Sequence, residues 1–220
     1  MNVIVFGATG MVGQGVLREC LLDPDVESVL AVGRSPSGQQ RAKLRDLVVK
    51  DLFDYSAVEG QLAGFDACFF CLGVSSVGMS EADYRRVSYD LPLAAATVLA
   101  RLNPQMTFTF ITGRGCDSSE RGPVMWARVK GAAENALLKL PFKAAYMFRP
   151  GIIQPLHGVR SKTALYNAVY VALGPVLGLW RRLSPNGLTT SEQVGQAMLV
   201  VAKRGTPSPI VETADINALR

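Results

Sequence analysis

Short apolar runs along the chain predict β-strands that are buried on both faces. The run "NVIVF" (2–6) is continuous, rich in β-branched residues and ended by a glycine, which is typical of a strand inside a parallel sheet. Further runs of this kind are found at 28–33, 46–51, 66–73, 106–112 and 144–151, with a final short one at 208–213.

Segments in which apolar residues have helical spacing separate these strands. They cover 11–22, 81–102, 124–140 and 190–205. We expect Pro92 to begin or kink the second part of the second segment, and Thr190 or Ser191 to cap the last one, which Gly205 ends. Because strand and helix alternate throughout, the pattern predicts an α/β fold: a Rossmann-type doubly wound parallel sheet with a small C-terminal helical region on the substrate side.

The segment 162–182, "KTALYNAVYVALGPVLGLWRR", has no charged residue between Lys162 and Arg181. It is short for a membrane span, which needs about 20 apolar residues, and Gly174–Pro175 interrupts it. We therefore expect helices that cover the substrate site or form a homodimer interface. Contact with a membrane is the less favoured alternative that the pattern leaves open.

Composition limits the number of domains and the class of partner. The chain has 220 residues, of which 49% are hydrophobic and 19% charged, and this fits a single domain over 1–220, with 151–190 as a substrate-side, lid or interface segment. The net charge of +5 comes from scattered lysines and arginines, so we expect an anionic ligand and no nucleic-acid partner. The N-terminus has no basic leader or cleavable signal pattern, which predicts a cytoplasmic location with reduced cysteines.

Two of the four cysteines, Cys68 and Cys71, form a C-x-x-C pattern that is used elsewhere in redox and metal sites. Here they lie in the apolar run "DACFFCLG", and side chains three apart on a strand point to opposite faces. We interpret them as small buried hydrophobic residues. The chain has a single histidine, His157, so the sequence offers no metal-ligand cluster.

A glycine-rich loop follows the first predicted strand and opens the first predicted helix. Gly7, Gly10 and Gly13 form G-x-x-G-x-x-G within "VIVFGATGMVGQGV". Glycines at such positions permit a tight turn, let the backbone approach a pyrophosphate and allow the helix to pack closely on the strand. The free N–H groups of the helix N-terminus then attract the phosphates. This context predicts a dinucleotide-binding loop.

The end of the second strand indicates which dinucleotide is bound. A carboxylate about 20 residues after the glycines would hold a ribose 2′-hydroxyl, whereas an arginine accommodates a 2′-phosphate. The strand ends in "AVGRSPSG", where Arg34 and Ser35 follow Gly33 without an acid. The arginine can form charge-assisted hydrogen bonds with a phosphate and stack on adenine. We therefore favour NADP(H) over NAD(H).

These motifs, taken in order, resemble the short-chain dehydrogenase/reductase superfamily in its atypical, NAD(P)-binding branch, close to the Tat-interacting-protein-like and NmrA-like proteins. The resemblance covers nearly the whole chain and depends on "GATGMVG", the arginine that ends strand two, "KDLFD", "FFCLGVS", "FITGRGCD", "WARVKGAAE" and "FRPGII". The cofactor-binding residues that loop and resemblance together predict are Gly7, Ala8, Thr9, Gly10, Met11, Val12, Arg34, Ser35, Asp51, Leu52, Leu72, Gly73, Val74, Lys130, Pro150, Gly151, Ile152 and Ile153.

The resemblance also implies roles for the residues after the glycine loop. Asp51 and Leu52 would flank the adenine, and Leu72–Val74 would line the ribose side of the cofactor. Lys130 would form a hydrogen bond with the nicotinamide ribose, and Pro150–Ile153 would cover the nicotinamide. A small-molecule substrate, whose identity the sequence does not indicate, would lie beyond them at the carboxyl ends of the strands.

The position of the expected catalytic tyrosine departs from the resemblance. Active relatives use a tyrosine four residues before the lysine as proton donor or acceptor, and here that position is Trp126. An indole N–H donates a hydrogen bond but does not titrate usefully. Thr112 is the candidate for the hydroxyl that orients a substrate carbonyl, so Thr112 and Lys130 are the predicted catalytic residues. The other candidates for the role of the tyrosine are Cys116, Asp117, Ser118, Ser119, Tyr84 and Tyr89.

Two functions from different classes remain compatible with the sequence. One is an NADP-dependent oxidoreductase that uses a water, a group of the substrate or an unconventional proton donor. The other is a non-catalytic NADP(H)-sensing regulator or scaffold, which the replacement of the tyrosine by Trp126 favours. A membrane-associated helper that uses Tyr166–Trp180 is a weaker third hypothesis.

Overall fold

Seven parallel strands form the central sheet in the computed structural model, which describes residues 1–159 and 187–219. The strands of this sheet are β1 (Asn2–Phe6), β2 (Ser28–Gly33), β3 (Leu44–Val48), β4 (Ala67–Phe70), β5 (Thr107–Ile111), β6 (Ala144–Arg149) and β9 (Ile210–Glu212). Their order is β3-β2-β1-β4-β5-β6-β9. This is the doubly wound Rossmann order with one strand added, and the order reverses between β1 and β4, where open α/β sheets bind ligands. The predicted fold class is confirmed.

Alternating side chains of the central strands go to two separate cores. On β1, Ile4 and Phe6 face one side, and Val3 and Val5 face the other. All four are fully buried, which explains why positions 3–6 carry no polar residue. Aromatic packing reinforces the first core, where the ring centroids of Phe6 and Phe70 lie 5.0 Å apart.

Helices cover both faces of the sheet. They are α1 (Met11–Leu22), α2 (Glu81–Arg85), α3 (Leu91–Leu102), α4 (Met125–Leu137), α5 (Ser191–Arg204) and α6 (Thr213–Ala218), with a 3₁₀ turn at Ser56–Gln61 and a π turn at Arg86–Asp90. α3 and α4 pack on the core of Phe6, and α1 and α5 pack on the core of Val5. α1 and α5 approach so closely that a Cβ on Gly15 would lie 2.7 Å from Cβ of Ser191.

Several predicted boundaries are confirmed and one strand was misplaced. β1, α1 and β2 have the predicted bounds, Pro92 lies in the first turn of α3, and the Thr190 hydroxyl caps α5 by accepting the N–H of Gln193. The third strand is Leu44–Val48 rather than 46–51. It is an edge strand that exposes Arg45 and Val48 to solvent, so its apolar pattern is weak.

The C-terminal part contains elements that the sequence pattern did not predict. β7 (Ile152–Gln154) pairs in parallel with β8 (Leu188–Thr190) in a small second sheet, and α6 follows β9 directly. The predicted helical region at 162–182, the apolar segment 164–180 and most of 151–190 lie outside the described residues. Among the helices that are described, none is long and apolar enough to cross a membrane.

The cysteines are free thiols, as expected. Cys68 belongs to the core of Phe6, whereas Cys71 packs against the opposite core, so the two point to opposite faces. Burial raises the pKa of both thiols, which keeps them protonated at neutral pH. Within residues 1–159 and 187–219, no group of three or more histidine, cysteine, aspartate or glutamate side chains is placed to hold a metal ion.

Candidate functional site

The loop between β1 and α1 has a shape that only glycine permits at two positions. Gly7 has a φ of 77°, and a Cβ there would lie 2.7 Å from the backbone nitrogen of Leu72. A Cβ on Gly13 would lie 2.0 Å from the carbonyl oxygen of Gly7. Both contacts are with backbone, so a side chain could not be accommodated by a simple rotamer change. Gly7 therefore lies directly against the segment that follows β4, and the first turn of α1 packs on Gly7.

A cleft of about 480 Å³ lies at this point, where the strand order reverses. Its walls are the glycine loop, the end of β2 and the segment after β4. The cleft is lined by Gly7, Ala8, Thr9, Gly10, Ala31, Val32, Gly33, Arg34, Ser35, Ser37, Leu52, Cys71, Leu72, Gly73 and Val74. Gly10 is the N-cap of α1, and the first turn of that helix carries no acidic residue, so its positive end faces the cleft uncompensated.

Ten of the predicted cofactor-binding residues line this one cleft. They are Gly7, Ala8, Thr9, Gly10, Arg34, Ser35, Leu52, Leu72, Gly73 and Val74. The other eight lie outside its lining: Met11, Val12, Asp51, Lys130, Pro150, Gly151, Ile152 and Ile153. The cleft also uses five residues that the sequence reading missed, namely Ala31, Val32, Gly33, Ser37 and Cys71. Proximity to the carboxyl ends of β2 and β4 was the signal that could have identified them.

The loop after β2 places an arginine side chain at the cleft wall, and hydrogen bonds to an aspartate of β3 hold this loop in position. Arg34 is exposed at the cleft wall, whose described lining contains no aspartate or glutamate. The Asp46 carboxylate on β3 accepts the Ser37 backbone N–H at 3.0 Å and the Ser37 hydroxyl at 3.1 Å. These two bonds hold the loop in place and engage both oxygens of the Asp46 carboxylate. The local chemistry of the cleft therefore favours an anionic group beside Arg34.

Three of the residues outside the cleft lining, Asp51, Met11 and Val12, lie in the turn after β3 and in the first turn of α1. The exposed Asp51 carboxylate accepts the backbone N–H of Phe53 at 2.9 Å and shapes the turn that follows β3. Its neighbour Leu52 is buried and lines the cleft. Met11 and Val12 form the first turn of α1 and are half-buried.

Lys130 lies on α4, one turn after Trp126. Its Nζ donates a hydrogen bond of 2.7 Å to the carbonyl oxygen of Thr112, at the end of β5. Burial lowers the pKa of the ammonium group, while the nearby Cys116 and Glu134 act in the opposite direction. The Trp126 ring packs over the loop after β5, within 3.9 Å of where a Cβ on Gly113 would lie.

The position of Thr112 does not fit its predicted role. The side chain is only 7% exposed, and its hydroxyl lies 2.6 Å from the Glu134 carboxylate and 3.0 Å from the Phe148 carbonyl oxygen. A hydroxyl has one proton to donate, and the buried carboxylate is the stronger acceptor. The Thr112 side chain is therefore directed into the protein, and its geometry does not favour contact with a substrate carbonyl.

The other polar residues that were considered as substitutes for the tyrosine are also engaged. The Asp117 carboxylate accepts bonds from Ser119 and from the backbone of Gly122, and the Ser118 hydroxyl accepts a bond from Arg149. The remaining three are buried or stacked. Burial raises the pKa of Tyr84 and that of Cys116, the latter to about 11, and Tyr89 stacks under the guanidinium of Arg85. These contacts favour structural roles.

The segment Pro150–Ile153 is held in place by its backbone. The Pro150 carbonyl accepts the N–H of Arg114 at 2.9 Å, and the Gly151 N–H donates to the Thr213 hydroxyl at 2.8 Å. The Ile152 N–H donates to the Gly187 carbonyl at 3.1 Å. Three backbone polar groups of this segment, which is predicted to cover the nicotinamide, thus already have partners within the protein.

Solved structures with the same architecture include enzymes with bound dinucleotides. Gre2 from Candida albicans, solved in complex with NADPH, superposes with a TM-score of 0.71 at 14% identity, covering 96% of this chain and 77% of Gre2. The dTDP-glucose 4,6-dehydratase DesIV from Streptomyces venezuelae, solved with NAD and TYD bound, gives a TM-score of 0.69 at 12% identity, covering 96% and 74%. At these identities the comparisons establish the fold.

Sequence comparisons find relatives over most or all of the chain. The mitochondrial protein FMP52 of Eremothecium gossypii is 29% identical over 100% of this chain and 97% of its own length. Protein HTATIP2 of Rattus norvegicus is 26% identical over 69% of this chain, which spans 62% of the rat protein. These relatives confirm the resemblance to the atypical short-chain dehydrogenase/reductase branch. Residues 3–113, half of the chain, match the profile of a single family, and the protein accordingly belongs to the NAD dependent epimerase/dehydratase family.

Proposed function

We propose that this protein binds NADP(H) in the cleft between β1 and β4 and acts as an oxidoreductase of the short-chain dehydrogenase/reductase type. The observation that carries the proposal is the glycine loop, where a Cβ on Gly7 or Gly13 would collide with backbone, so that only glycine permits the tight turn that borders the cleft. Such a cradle suits a pyrophosphate, which the exposed N–H groups of α1 would bind. The family matches over residues 3–113, which include this loop.

Different residues around the cleft would contact different parts of the cofactor. Leu52 would contact the adenine and Leu72–Val74 the adjoining ribose, since both line the cleft wall. Lys130 would donate to the nicotinamide ribose, and Pro150–Ile153 would cover the nicotinamide. When bound, the nicotinamide supplies or accepts a hydride, and the protein's part is to orient it and to exclude water.

Cofactor preference is assigned from the wall beside β2. Gre2 was solved with NADPH and DesIV with NAD, so structural likeness does not decide between the two. Arg34 is the feature that supports NADP(H), because it borders the cleft where no carboxylate is available for a ribose 2′-hydroxyl among the described lining residues.

Replacing Arg34 with alanine tests this preference. A charge-assisted contact is worth roughly 1.5–3 kcal/mol, so the unmutated protein is expected to bind NADPH about tenfold or more tightly than NADH. Arg34→Ala should remove most of that difference and leave NADH affinity nearly unchanged, as measured by calorimetric titration. Arg41→Ala is the matched control, since it removes an exposed arginine from the same loop outside the cleft. Equal affinities for the two cofactors in the unmutated protein would refute the assignment.

A second function, an NADP(H)-sensing regulator or scaffold without turnover, is favoured by one observation. Trp126 replaces the expected tyrosine, and the Thr112 hydroxyl is occupied by Glu134. Neither side chain can then serve as the proton donor beside a nicotinamide. Turnover of a panel of carbonyl substrates with NADPH separates the two functions, because only the oxidoreductase would oxidise NADPH above background.

Location and assembly stay predictions. We propose a cytoplasmic location, while noting that the FMP52 relative is named as mitochondrial. A homodimer, or coverage of the substrate site by residues 162–182, is proposed from the apolar composition of that segment alone. Size-exclusion chromatography coupled to light scattering tests the dimer directly.

A further inference from the structure

A buried charge lies one helical turn beyond Lys130. Trp126, Lys130 and Glu134 follow one another at four-residue spacing on α4 and therefore share a face of the helix. Glu134 has no solvent exposure at all. A buried carboxylate is costly unless it is paired and hydrogen-bonded, so its partners are expected to explain why it is there.

The partners of Glu134 are two residues on neighbouring strands. The Arg149 guanidinium, at the end of β6, binds the carboxylate in a bidentate manner, with Nε at 3.1 Å from both oxygens and one terminal nitrogen closer still. The Thr112 hydroxyl approaches Oε1 of Glu134 at 2.6 Å. Arg149 is held in turn by the Ser118 hydroxyl at 2.7 Å and by Glu212 at 3.6 Å.

Thr112 connects this pair to Lys130. Its backbone N–H donates to the Phe148 carbonyl at 2.8 Å, its hydroxyl meets Glu134, and its carbonyl oxygen accepts the Lys130 ammonium at 2.7 Å. Thr112 is thereby fixed at its amide, its side chain and its carbonyl. The ammonium position thus depends on a residue whose orientation the Glu134–Arg149 pair holds.

We infer that Glu134 and Arg149 are positioning residues, which act through Thr112 to hold the Lys130 ammonium at the place where it meets the cofactor. This inference depends on the proposed role of Lys130 in binding the nicotinamide ribose. It also explains why the Thr112 hydroxyl is bonded to Glu134. This bond fixes the residue whose carbonyl oxygen accepts the Lys130 ammonium. Neither Glu134 nor Arg149 needs to touch the cofactor in this arrangement.

The titratable groups around Lys130 also affect the pKa of its ammonium group. Cys116 from the loop after β5 and Glu134 from α4 face the ammonium, and Arg149 neutralises part of the Glu134 charge. Burial lowers the pKa of Lys130, and the Glu134 carboxylate partly counteracts this by stabilising the ammonium. Glu134→Gln, which removes that charge, is expected to move the loss of the Lys130 proton to lower pH.

Two variants test the positioning role at a fixed pH. Thr112→Val preserves the shape of the side chain but removes the hydroxyl, and it is expected to weaken NADPH binding about tenfold, because a small displacement of a binding group is costly. Thr112→Ser, which keeps the hydroxyl, should restore most of the affinity. Glu81→Gln breaks an ion pair between α2 and Arg128 of α4, the helix that carries Lys130, and should leave NADPH binding unchanged.

A pH series separates positioning from simple destabilisation. NADPH affinity of the unmutated protein should fall at alkaline pH as Lys130 loses its proton, and in Glu134→Gln that fall should begin at lower pH. A purely structural defect would reduce affinity by the same factor at every pH. If Glu134→Gln does not fold because Arg149 is left unpaired, the double variant Glu134→Gln, Arg149→Gln removes both charges and serves in its place.

NMR titration of the Lys130 side chain without cofactor supplies an independent readout. Its pKa should be lower in Glu134→Gln than in the unmutated protein, and an identical pKa would overturn the inference. Parallel pH curves for NADPH, or full affinity in Thr112→Val, would also overturn it while the proposed function stands. Failure of the unmutated protein to bind NADPH would instead overturn the proposed function.

Discussion

Gly13→Ala is expected to abolish useful NADPH binding and to lower the stability of the protein. The added Cβ would lie 2.0 Å from the carbonyl oxygen of Gly7 and 2.6 Å from its carbonyl carbon, both of which are backbone atoms. Alanine favours a helix interior over glycine by about 1 kcal/mol, but overpacking of this kind typically costs about 1–3 kcal/mol and the loop must also move. Displacement of the phosphate-binding backbone by about 1 Å would weaken cofactor binding about 100-fold.

Gly60→Ala is the matched control for this substitution. A Cβ on Gly60 meets nothing within 4 Å, so the same chemical change is made in open space. We expect its effect on stability to be within about 0.5 kcal/mol and its effect on NADPH binding to be nil. Calorimetric titration and thermal unfolding measure both quantities. Normal NADPH affinity in Gly13→Ala would contradict a phosphate-binding role for the loop.

Trp126→Tyr is expected to create or greatly increase carbonyl reductase activity. The change places a phenol four residues before Lys130, and the cation would favour the ionised phenol and so help it to exchange a proton. General acid catalysis is worth roughly 10²–10⁴ in rate. We expect a gain of about 10²-fold, at the lower end of that range, because the Thr112 hydroxyl is occupied by Glu134 and cannot orient the carbonyl.

Trp126→Phe is the control, since it removes the indole without adding a hydroxyl. It should bind NADPH as well as the unmutated protein does, because neither aromatic ring donates a bond that the cofactor requires. The measurement is NADPH oxidation with a panel of simple ketones and aldehydes. Robust turnover in the unmutated protein that survives in Trp126→Phe would mean that another residue supplies the proton, and the regulator hypothesis would then be rejected.

The sequence predicted strands best where both faces of the strand are buried, because burial alone then determines which residues occur there. β1 and β4 are buried on both faces, so their runs are continuous and easily recognised. At the sheet edge the pattern weakens, because β3 exposes Arg45 and Val48 to solvent, and the strand was placed two residues late. β7 and β8 are three residues long and pair across 33 intervening positions, which no local periodicity reveals.

The same distinction holds for the candidate site: residues that follow a strand end could be predicted, and contacts between distant elements could not. The glycine loop, Arg34 and Leu72–Val74 could be predicted because each follows a recognisable strand end. The direction of the Thr112 side chain could not, because it depends on Glu134, 22 residues away, and on the partner of that carboxylate in β6. Pairing of buried charges between elements is a tertiary property, and a single sequence carries no local signal for it.

A crystal structure of the unmutated protein with NADPH would show whether the cleft binds the dinucleotide as proposed. We expect the pyrophosphate against the backbone of Gly7–Gly10, the 2′-phosphate within hydrogen-bond distance of Arg34, and the nicotinamide ribose within reach of Lys130. NADPH bound elsewhere on the protein, or bound in the cleft with its 2′-phosphate in solvent away from Arg34, would contradict the proposal.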